Sequence, residues 1–319
     1  MNTINSNVSV VTGATSGLGK AVALALAKTG GTVVLVARDP ERGAQIEKEI
    51  ATASENPNVE LQLCDLANLS SVRNLAVILN NQYDKIDVLV NNAGAYKRQR
   101  MLTVDGFEEM FAANHLGPFL LTNLLLDRLR ASPAARIINV TAPSTTPVYF
   151  DDLQSERHFN SLNAFGSSKM ANLLFTRELA RRLQDTNVRV YAFHPGLVRS
   201  ALMKEGPLLI RILTRLFSSS PDRAADEVAR LASAPEFASM HGKFIHKGNE
   251  LEFPAYAMEE ANQRQLWEIS ETLTDASEPP QNYDPTGSVA MHNEKDLPAG
   301  LIRPEEDPTG IKSRGVKDR

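Results

Sequence analysis

Short apolar, β-branched runs alternate with longer segments in which apolar residues recur at helical spacing. The predicted strands are Val8–Thr12, Thr32–Ala37, Val59–Cys64, Val88–Val90, Ile137–Thr141, Val188–Phe193 and Lys243–His246. The predicted helices are Gly17–Thr29, Pro40–Ala53, Ser70–Asn80, Phe107–Leu129, Asn163–Leu183 and Ala224–Ala232. This alternation indicates βαβ units, and strands that are apolar throughout indicate a sheet covered on both faces. The pattern predicts a doubly wound α/β Rossmann fold with a seven-stranded, mainly parallel sheet.

The pattern changes near residue 277. Between Ser277 and Arg319 there are six prolines, many charged residues and no periodic apolar face. Such a segment has too little apolar surface to offset the entropy of ordering. We therefore expect one domain over residues 1–276, followed by a disordered polar tail over residues 277–319.

The composition narrows the classes of function. The 319 residues are 42% hydrophobic and carry a net charge of -4, which gives no electrostatic reason to expect nucleic acid as a partner. Cys64 is the only cysteine and is expected to be a small core residue. The first seven residues lack a leader pattern and no apolar run is long enough for a transmembrane segment, so we expect a cytoplasmic protein. Whether it forms a homo-oligomer stays open.

A glycine-rich turn joins the first predicted strand to the first predicted helix. Glycines occupy positions 13, 17 and 19, which allow a tight turn, approach of the backbone to a pyrophosphate and close helix packing. The free N–H groups and positive dipole end of the helix favour an anion. The pattern predicts a dinucleotide-binding site. Its residues are Gly13, Thr15, Ser16, Gly17, Leu18 and Gly19.

The end of the second strand predicts which dinucleotide binds. A carboxylate about 20 residues after the glycines would bind a ribose 2′-hydroxyl and favour NAD. The chain instead has Arg38, nineteen residues after Gly19. A guanidinium can hold a 2′-phosphate through two hydrogen bonds, which favours NADP(H) over NAD(H).

Several further motifs resemble one family, the short-chain dehydrogenases/reductases, and most closely its retinol dehydrogenase-like branch. The resemblance covers about residues 6–275. The motifs that carry it are the glycine turn, Cys64-Asp65-Leu66, Asn91-Asn92-Ala93-Gly94, Asn114-His115-Leu116-Gly117, His194-Pro195-Gly196, and the segments Phe150–Glu156 and Ser168–Ala180. The resemblance implies an oxidoreductase that uses a nicotinamide dinucleotide. We do not expect the membrane anchor that is common at the amino terminus of that branch.

The resemblance also implies positions around the bound cofactor. The residues expected beside the adenosine are Asp65, Leu66, Asn92, Ala93 and Gly94. The residues expected to border the nicotinamide are Pro195, Gly196, Val198 and Ser200. Lys169 would hold the hydroxyls of the nicotinamide ribose.

The chain departs from the family at the reacting centre. The family uses Asn, Ser, Tyr and Lys, with the tyrosine four residues before the lysine on one helix face. The lysine lowers the pKa of the tyrosine, which exchanges the proton of the reacting oxygen, and the serine holds that oxygen. Asn114 and Lys169 are kept, but Phe165 stands at the tyrosine position and Ala142 at the serine position. We therefore expect weak turnover of ordinary carbonyls or alcohols.

Three interpretations remain open. The chain is an NADP(H)-dependent oxidoreductase in which another group replaces the lost donor, and the candidates are Tyr149, Thr141 and Ser144 on the segment after the fifth strand. Alternatively, it catalyses a non-redox reaction such as isomerisation or cyclisation. The third interpretation is a non-catalytic protein that senses the cofactor by binding it.

Other residues are expected to have structural roles. His115 and His194 are expected to be packed, and the histidines show no metal-ligand spacing, so no metal is expected. The segment Leu202–Phe217 alternates aliphatic residues with basic ones and predicts an amphipathic lid over the cleft, with contact to a membrane surface as the alternative. A lid of this kind presents aliphatic surface, which favours a small apolar substrate.

Overall fold

The computed structural model describes residues 7–198 and 220–275. Three sequence predictions lie outside the described residues: Ser200 at the nicotinamide, the lid over 202–217 and the tail from 277 onward. The other predicted site residues lie within the described ranges.

One twisted sheet organises the described residues, in the strand order β3-β2-β1-β4-β5-β6-β7-β8. The strands, numbered along the chain, are Val8–Thr12, Thr32–Ala37, Val59–Leu63, Val88–Asn91, Arg136–Val140, Arg189–Phe193, Lys243–His246 and Asn249–Leu251. The first seven pair in parallel, as expected for βαβ units. The order reverses between β1 and β4, and in such sheets ligands bind beyond the carboxyl ends of the strands at this point.

The prediction of seven strands was one short. Strand β8 pairs antiparallel to β7, with Phe244 opposite Leu251. A tight turn at Lys247 and Gly248, both with positive φ, returns the chain beside β7. Since β8 has three residues and lies at the sheet edge, its apolar signal was too short to distinguish from a loop. The predicted fold class is confirmed.

The helices cover both faces of the sheet. Helices α1 to α10, numbered along the chain, are Gly17–Ala27, Pro40–Ser54, Leu69–Gln82, Glu109–Phe111, Gly117–Leu124, Leu126–Arg130, Ser161–Arg182, Asp222–Ser233, Ala255–Met258 and Glu260–Thr274. A π-helical turn, Ala112–Leu116, joins α4 to α5, and a 3₁₀ turn, Pro235–Ser239, follows α8. Successive residues of β1 point to opposite faces, where Val10 packs in one core cluster and Val11 in the other.

The predicted helix Phe107–Leu129 was too long and too regular. The helical region begins after Glu108, which caps α4. The Glu108 carboxylate accepts hydrogen bonds from the N–H groups of Met110 and Phe111. The π-helical turn and a break at Leu125 then divide the segment. Apolar residues continue through all of these turns, so their period did not show the interruptions.

A line of buried polar side chains joins the central strands to the helices behind them. The Asn91 side chain donates to Thr122 Oγ1 at 3.0 Å and to Asn139 Oδ1 at 2.8 Å. Asn139 in turn donates to Thr176 Oγ1 at 2.9 Å. Since all four side chains are buried, these bonds fix α5 and α7 relative to β4 and β5. Those elements carry the residues described next.

Candidate active site

The glycine-rich turn packs tightly against the loop after β4. Gly13 has φ of +66°, and a Cβ there would lie 2.8 Å from Ala93 Cα. A Cβ on Gly19 would lie 2.2 Å from the Gly13 carbonyl oxygen and 2.4 Å from Asn92 Nδ2. Asn92 Nδ2 donates to the Thr12 carbonyl oxygen at 2.8 Å. Positions 13 and 19 therefore require glycine, as the motif predicted.

The amino end of α1 faces the same crevice. Ser16 precedes the helix in an extended conformation, and the structure gives its side chain no capping hydrogen bond within the described residues. The first-turn N–H groups of Gly17, Leu18 and Gly19 have no intrahelical acceptor by geometry. Together with the glycine turn they form a cradle that fits a pyrophosphate.

Arg38 lies directly after β2, next to the end of β3. Its guanidinium is 3.9 Å from the Asp65 carboxylate, and the two side chains are 70% and 41% exposed. An exposed ion pair at this separation contributes little free energy, so the guanidinium can turn to another anion at small cost. Asp65 is oriented by a hydrogen bond that its Oδ1 accepts from the N–H of Ala67 at 3.0 Å.

Asn114 holds the loop after β4. It is fully buried in the π-helical turn, a type of turn that is frequent at functional sites. Its Oδ1 accepts from the Ala95 N–H at 2.6 Å, and its Nδ2 donates to the Ala95 carbonyl at 3.0 Å and to Ser168 Oγ at 2.9 Å. Asn114 therefore connects the segment Asn92–Ala95 to helix α7, and its predicted place in the site is consistent with this geometry.

Phe165 and Lys169 stack one turn apart on α7. The Lys169 ammonium lies 5.5 Å from the centroid of the Phe165 ring, and the residue is only 6% exposed. Burial lowers the pKa of the Lys169 ammonium to about 8. Tyr96 packs edge-on against the Phe165 ring with the ring centroids 5.6 Å apart, and its hydroxyl donates to Ser161 Oγ at 2.9 Å.

Tyr96 is the site residue that the sequence analysis missed. It is 4% exposed and lies two residues after the Asn92-Ala93-Gly94 motif. Since the carboxyl ends of β4 and β5 are adjacent, an aromatic residue shortly after that motif could have been placed beside α7. The sequence signal for this placement is the aromatic residue itself, two positions after the motif.

The segment after β5 brings two hydroxyls close to α7. Thr141 Oγ1 donates to the Lys169 carbonyl oxygen at 2.9 Å, and Ser144 Oγ donates to the Gly166 carbonyl oxygen at 2.7 Å. Between them Ala142 is partly exposed and has no polar side-chain atom. Tyr149 lies further along, 46% exposed, and no hydrogen bond links its hydroxyl to Phe165 or Lys169.

The loop after β6 has a histidine pair beneath it. The rings of His194 and His246 have centroids 4.7 Å apart, and His246 Nδ1 lies 2.8 Å from the His194 carbonyl oxygen. Burial, and secondarily the charge of His246, lower the pKa of His194 to about 4. The pair supports the segment Pro195–Val198, in which Gly196 has φ of +75°.

His115 is packed and takes no part in the site. Its ring lies between the aromatic rings of Phe111, Phe119 and Phe175, and its Nε2 is 2.8 Å from Ser270 Oγ. Burial lowers its pKa to about 3, so the ring is neutral. Among the described residues there is no cluster of metal-ligating side chains and no helix that could cross a membrane.

Comparisons with known proteins agree with the geometry. A family model described as short chain dehydrogenase matches residues 7–207. Human retinol dehydrogenase 14 is 40% identical over 285 residues, which cover 83% of this chain and 85% of that protein. A solved structure of an uncharacterized Mycobacterium paratuberculosis protein is 32% identical with a TM-score of 0.69, over 84% of this chain and 93% of that one. A metagenomic short-chain oxidoreductase in complex with NADP is 28% identical with a TM-score of 0.56, over 72% and 91%.

The fold and the site define a dinucleotide-binding oxidoreductase of the doubly wound class. The chain belongs to the short chain dehydrogenase family, in its retinol dehydrogenase branch. Members of this family bind NAD(P) and interconvert alcohols and carbonyls, and the chain is assigned to that class of oxidoreductase.

Proposed function

We propose that the protein is an NADP(H)-dependent oxidoreductase that acts on the carbonyl or alcohol group of a small apolar metabolite, with slowed or rerouted proton transfer. The observation that carries the proposal is a complete dinucleotide cradle beside Lys169, with the ring of Phe165 where the family has a phenol. The cradle is the evidence for a bound dinucleotide, and the Phe165 ring, which has no hydroxyl, is the evidence for altered proton transfer.

The choice of NADP(H) rests on Arg38. It is exposed, follows β2 and, within residues 7–198 and 220–275, forms an ion pair of 3.9 Å with Asp65. A 2′-phosphate would add charge-assisted hydrogen bonds to the guanidinium, whereas a ribose 2′-hydroxyl would offer it no charge. The NADP bound to the metagenomic relative is consistent with this preference.

Each element of the site has a proposed role in binding the cofactor or in positioning the substrate. The amino end of α1 binds the pyrophosphate, and Lys169 binds the hydroxyls of the nicotinamide ribose. Asn114 fixes the loop after β4 against α7 and so positions the floor of the cleft. The nicotinamide supplies hydride chemistry when bound. Phe165 and Ala142 are both partly exposed, and neither has a side-chain group that could donate a hydrogen bond to the reacting oxygen.

An apolar substrate is supported by the side chains near the carboxyl edge of the sheet. Tyr149, Leu162 and Leu197 are 46%, 42% and 60% exposed and follow β5, begin α7 and follow β6. Large apolar side chains exposed around a cleft are typical of a site for an apolar ligand.

A second function is favoured by the same two substitutions. Losing a positioned proton donor costs typically about 10²–10⁴-fold in rate, and losing a donor to the oxyanion costs about 10²–10³-fold. A protein that binds NADP(H) and catalyses isomerisation or cyclisation, or that only senses the cofactor, would need neither group. Turnover of NADPH in the wild type and in Phe165→Tyr/Ala142→Ser separates these alternatives.

The cofactor proposal is tested by calorimetric titration with NADPH and NADH. We expect tighter binding of NADPH, and in Arg38→Ala a loss of about 10–100-fold for NADPH alone, since a charged hydrogen bond contributes about 1.5–3 kcal/mol. Arg264→Ala is the control, because Arg264 pairs with Glu260 on the distant helix α10. Equal affinities for the two cofactors, or a preference that survives Arg38→Ala, would refute the proposal.

A further inference from the structure

Four hydroxyl groups near Phe165 or on the segment beside α7 already donate to acceptors of the protein. Thr141 donates to the Lys169 carbonyl and Ser144 to the Gly166 carbonyl. Ser168 donates to the Phe165 carbonyl at 2.7 Å, and Tyr96 donates to Ser161 Oγ. Each would have to break this bond before it could protonate a substrate, so none is a ready replacement for the missing phenol.

The ammonium of Lys169 differs from these groups. Within the described residues it has no hydrogen-bond acceptor, and its neighbour is the face of the Phe165 ring at 5.5 Å. An aromatic face attracts a cation but cannot take its proton. Because Lys169 follows Phe165 by four residues on α7, it lies on the same face of the helix, one turn further along.

We propose that Lys169 is itself the proton donor and acceptor of the reaction. The proposal rests on the proposed function. In reduction, the substrate carbonyl carbon accepts a hydride from the reduced nicotinamide, and the carbonyl oxygen takes a proton from the Lys169 ammonium. The products are an alcohol, the oxidised nicotinamide and a neutral amine, which water then reprotonates. Oxidation of the alcohol runs through the same transfers in reverse.

The surroundings of Lys169 suit this role near neutral pH. Burial is the only cause that lowers its pKa to about 8, and no described charged side chain contributes. His115, in the turn that carries Asn114, is neutral with a pKa of about 3, and Tyr96 packs against the Phe165 ring. Other titratable side chains on the elements around α7 are Glu109 on α4, Tyr191 on β6, and Tyr256 and Glu260 on the two C-terminal helices, and none of them contributes to the lowered pKa of Lys169. At pH 7 the group is mostly ammonium and can donate, while a modest rise in pH gives the amine that oxidation requires.

The first test reads the ionisation of Lys169 without any turnover. The protein is labelled with ¹³Cε-lysine and titrated by NMR, and the Lys169 signal is identified by its absence from Lys169→Arg and Lys169→Gln. We expect this signal to titrate near pH 8. Titration near 10.4, the ordinary value for lysine, would overturn the proposal.

The second test follows NADPH consumption with decanal as the probe. For the wild type we expect the rate of reduction to fall as pH rises through about 8, and the rate of decanol oxidation with NADP⁺ to rise over the same interval. Lys169→Arg keeps the positive charge but cannot release a proton at these pH values. It should keep NADPH affinity within a few-fold and lose about 10²–10⁴-fold in kcat. Lys169→Gln makes the same test if the arginine variant does not fold.

The outcomes separate this proposal from the cofactor proposal. Calorimetry that finds no NADPH binding refutes the proposed function. If NADPH binds but Lys169→Arg retains the wild-type rate, only the role of Lys169 is overturned. A rate lost in Tyr149→Phe and kept in Lys169→Arg identifies Tyr149 as the donor. Bound NADPH that is not consumed with decanal at any pH also overturns the role of Lys169.

Discussion

At position 165 the chain differs from the family pattern by a single oxygen atom. The Phe165 ring contacts both the Tyr96 ring and the Lys169 ammonium. What is lost is the phenol hydroxyl, which in the family pattern exchanges the proton of the reacting oxygen. Because Asn114 and the glycine turn keep their contacts with the loop after β4, we expect the change to affect the chemistry more than cofactor binding.

Asn114 is predicted to stabilise the site as well as shape it. Asn114→Ala would leave the Ala95 N–H and carbonyl without partners in a partly buried place, each at a cost of up to about 1–3 kcal/mol. We expect a lower free energy of unfolding in urea and weaker NADPH binding. Asn123→Ala, which removes one partly buried bond to the Phe119 carbonyl, is the control. Equal losses from the two variants would contradict a special role for Asn114.

Single residues of the site were predictable where the backbone dictates them. Gly13 and Gly19 pack so closely against Asn92 and its neighbours that a Cβ at either glycine would overlap them. The glycine pattern in the sequence therefore predicted this packing directly. Tyr96 was not predicted, because its position depends on two strands ending side by side. The donor bonds of Thr141 and Ser144 also required the structure, since sequence shows a hydroxyl and not its acceptor.

At the scale of elements, the turn between β1 and α1 is set by contacts with a neighbouring strand. The N–H groups of Asn92 and Ala93 donate to Thr12 Oγ1 at 3.0 and 3.1 Å. Helix α1 therefore begins at a fixed distance from the end of β4. The anion site at its amino end depends on that packing as much as on the glycines.

Gly19→Ala tests this packing. The added Cβ would overlap the Gly13 carbonyl, which lies in backbone and cannot move freely, so we expect a destabilisation of about 1–3 kcal/mol and a loss of NADPH binding. Gly43→Ala in α2 is the matched control, because its Cβ would meet only the flexible end of Leu61. The measurements are thermal unfolding and calorimetry. Wild-type affinity in Gly19→Ala would contradict the account.

The strands of the sheet were easier to predict than the helical region after β4. Strands β1 and β2 have the predicted bounds, because their apolar runs end at polar or glycine residues. Between Glu108 and Arg130 the chain changes from α to π geometry and back, then breaks at Leu125. These changes of helical geometry allow tertiary contacts such as those of Asn114. Apolar residues continue through them at helical spacing, so the sequence pattern does not reveal the changes.

For the molecule as a whole, the buried His115 and the partly buried His194 make stability sensitive to acid. Burial lowers the pKa of His115 to about 3 and that of His194 to about 4, so the folded protein keeps both neutral. The unfolded chain binds protons at these residues near the ordinary value of about 6.5. Stability is therefore complete above about pH 6.5 and falls as pH decreases toward these lower values.

His115→Gln is predicted to reduce this acid sensitivity. Between pH 7.5 and pH 5, His115 alone should account for a loss on the order of 2 kcal/mol in the wild-type free energy of unfolding, at 1.36 kcal/mol for each pKa unit. The variant should lose correspondingly less over the same interval, even if it is less stable at pH 7.5. His158→Gln, an exposed position, is the control. Urea unfolding at both pH values gives the comparison, and identical pH dependence in wild type and His115→Gln would show the assignment to be wrong.

The most direct test of the central claim is the turnover of NADPH with apolar carbonyl substrates in wild type and in Phe165→Tyr/Ala142→Ser. We predict slow wild-type reduction and an increase of about 10²-fold or more in the double variant, because the phenol and the hydroxyl restore the proton donor and the second hydrogen bond. Wild-type turnover at an ordinary enzyme rate, about 1–10³ per second, would contradict the claim of slowed catalysis. A double variant that stays inert, while wild type converts a substrate without consuming NADPH, would contradict the redox assignment itself.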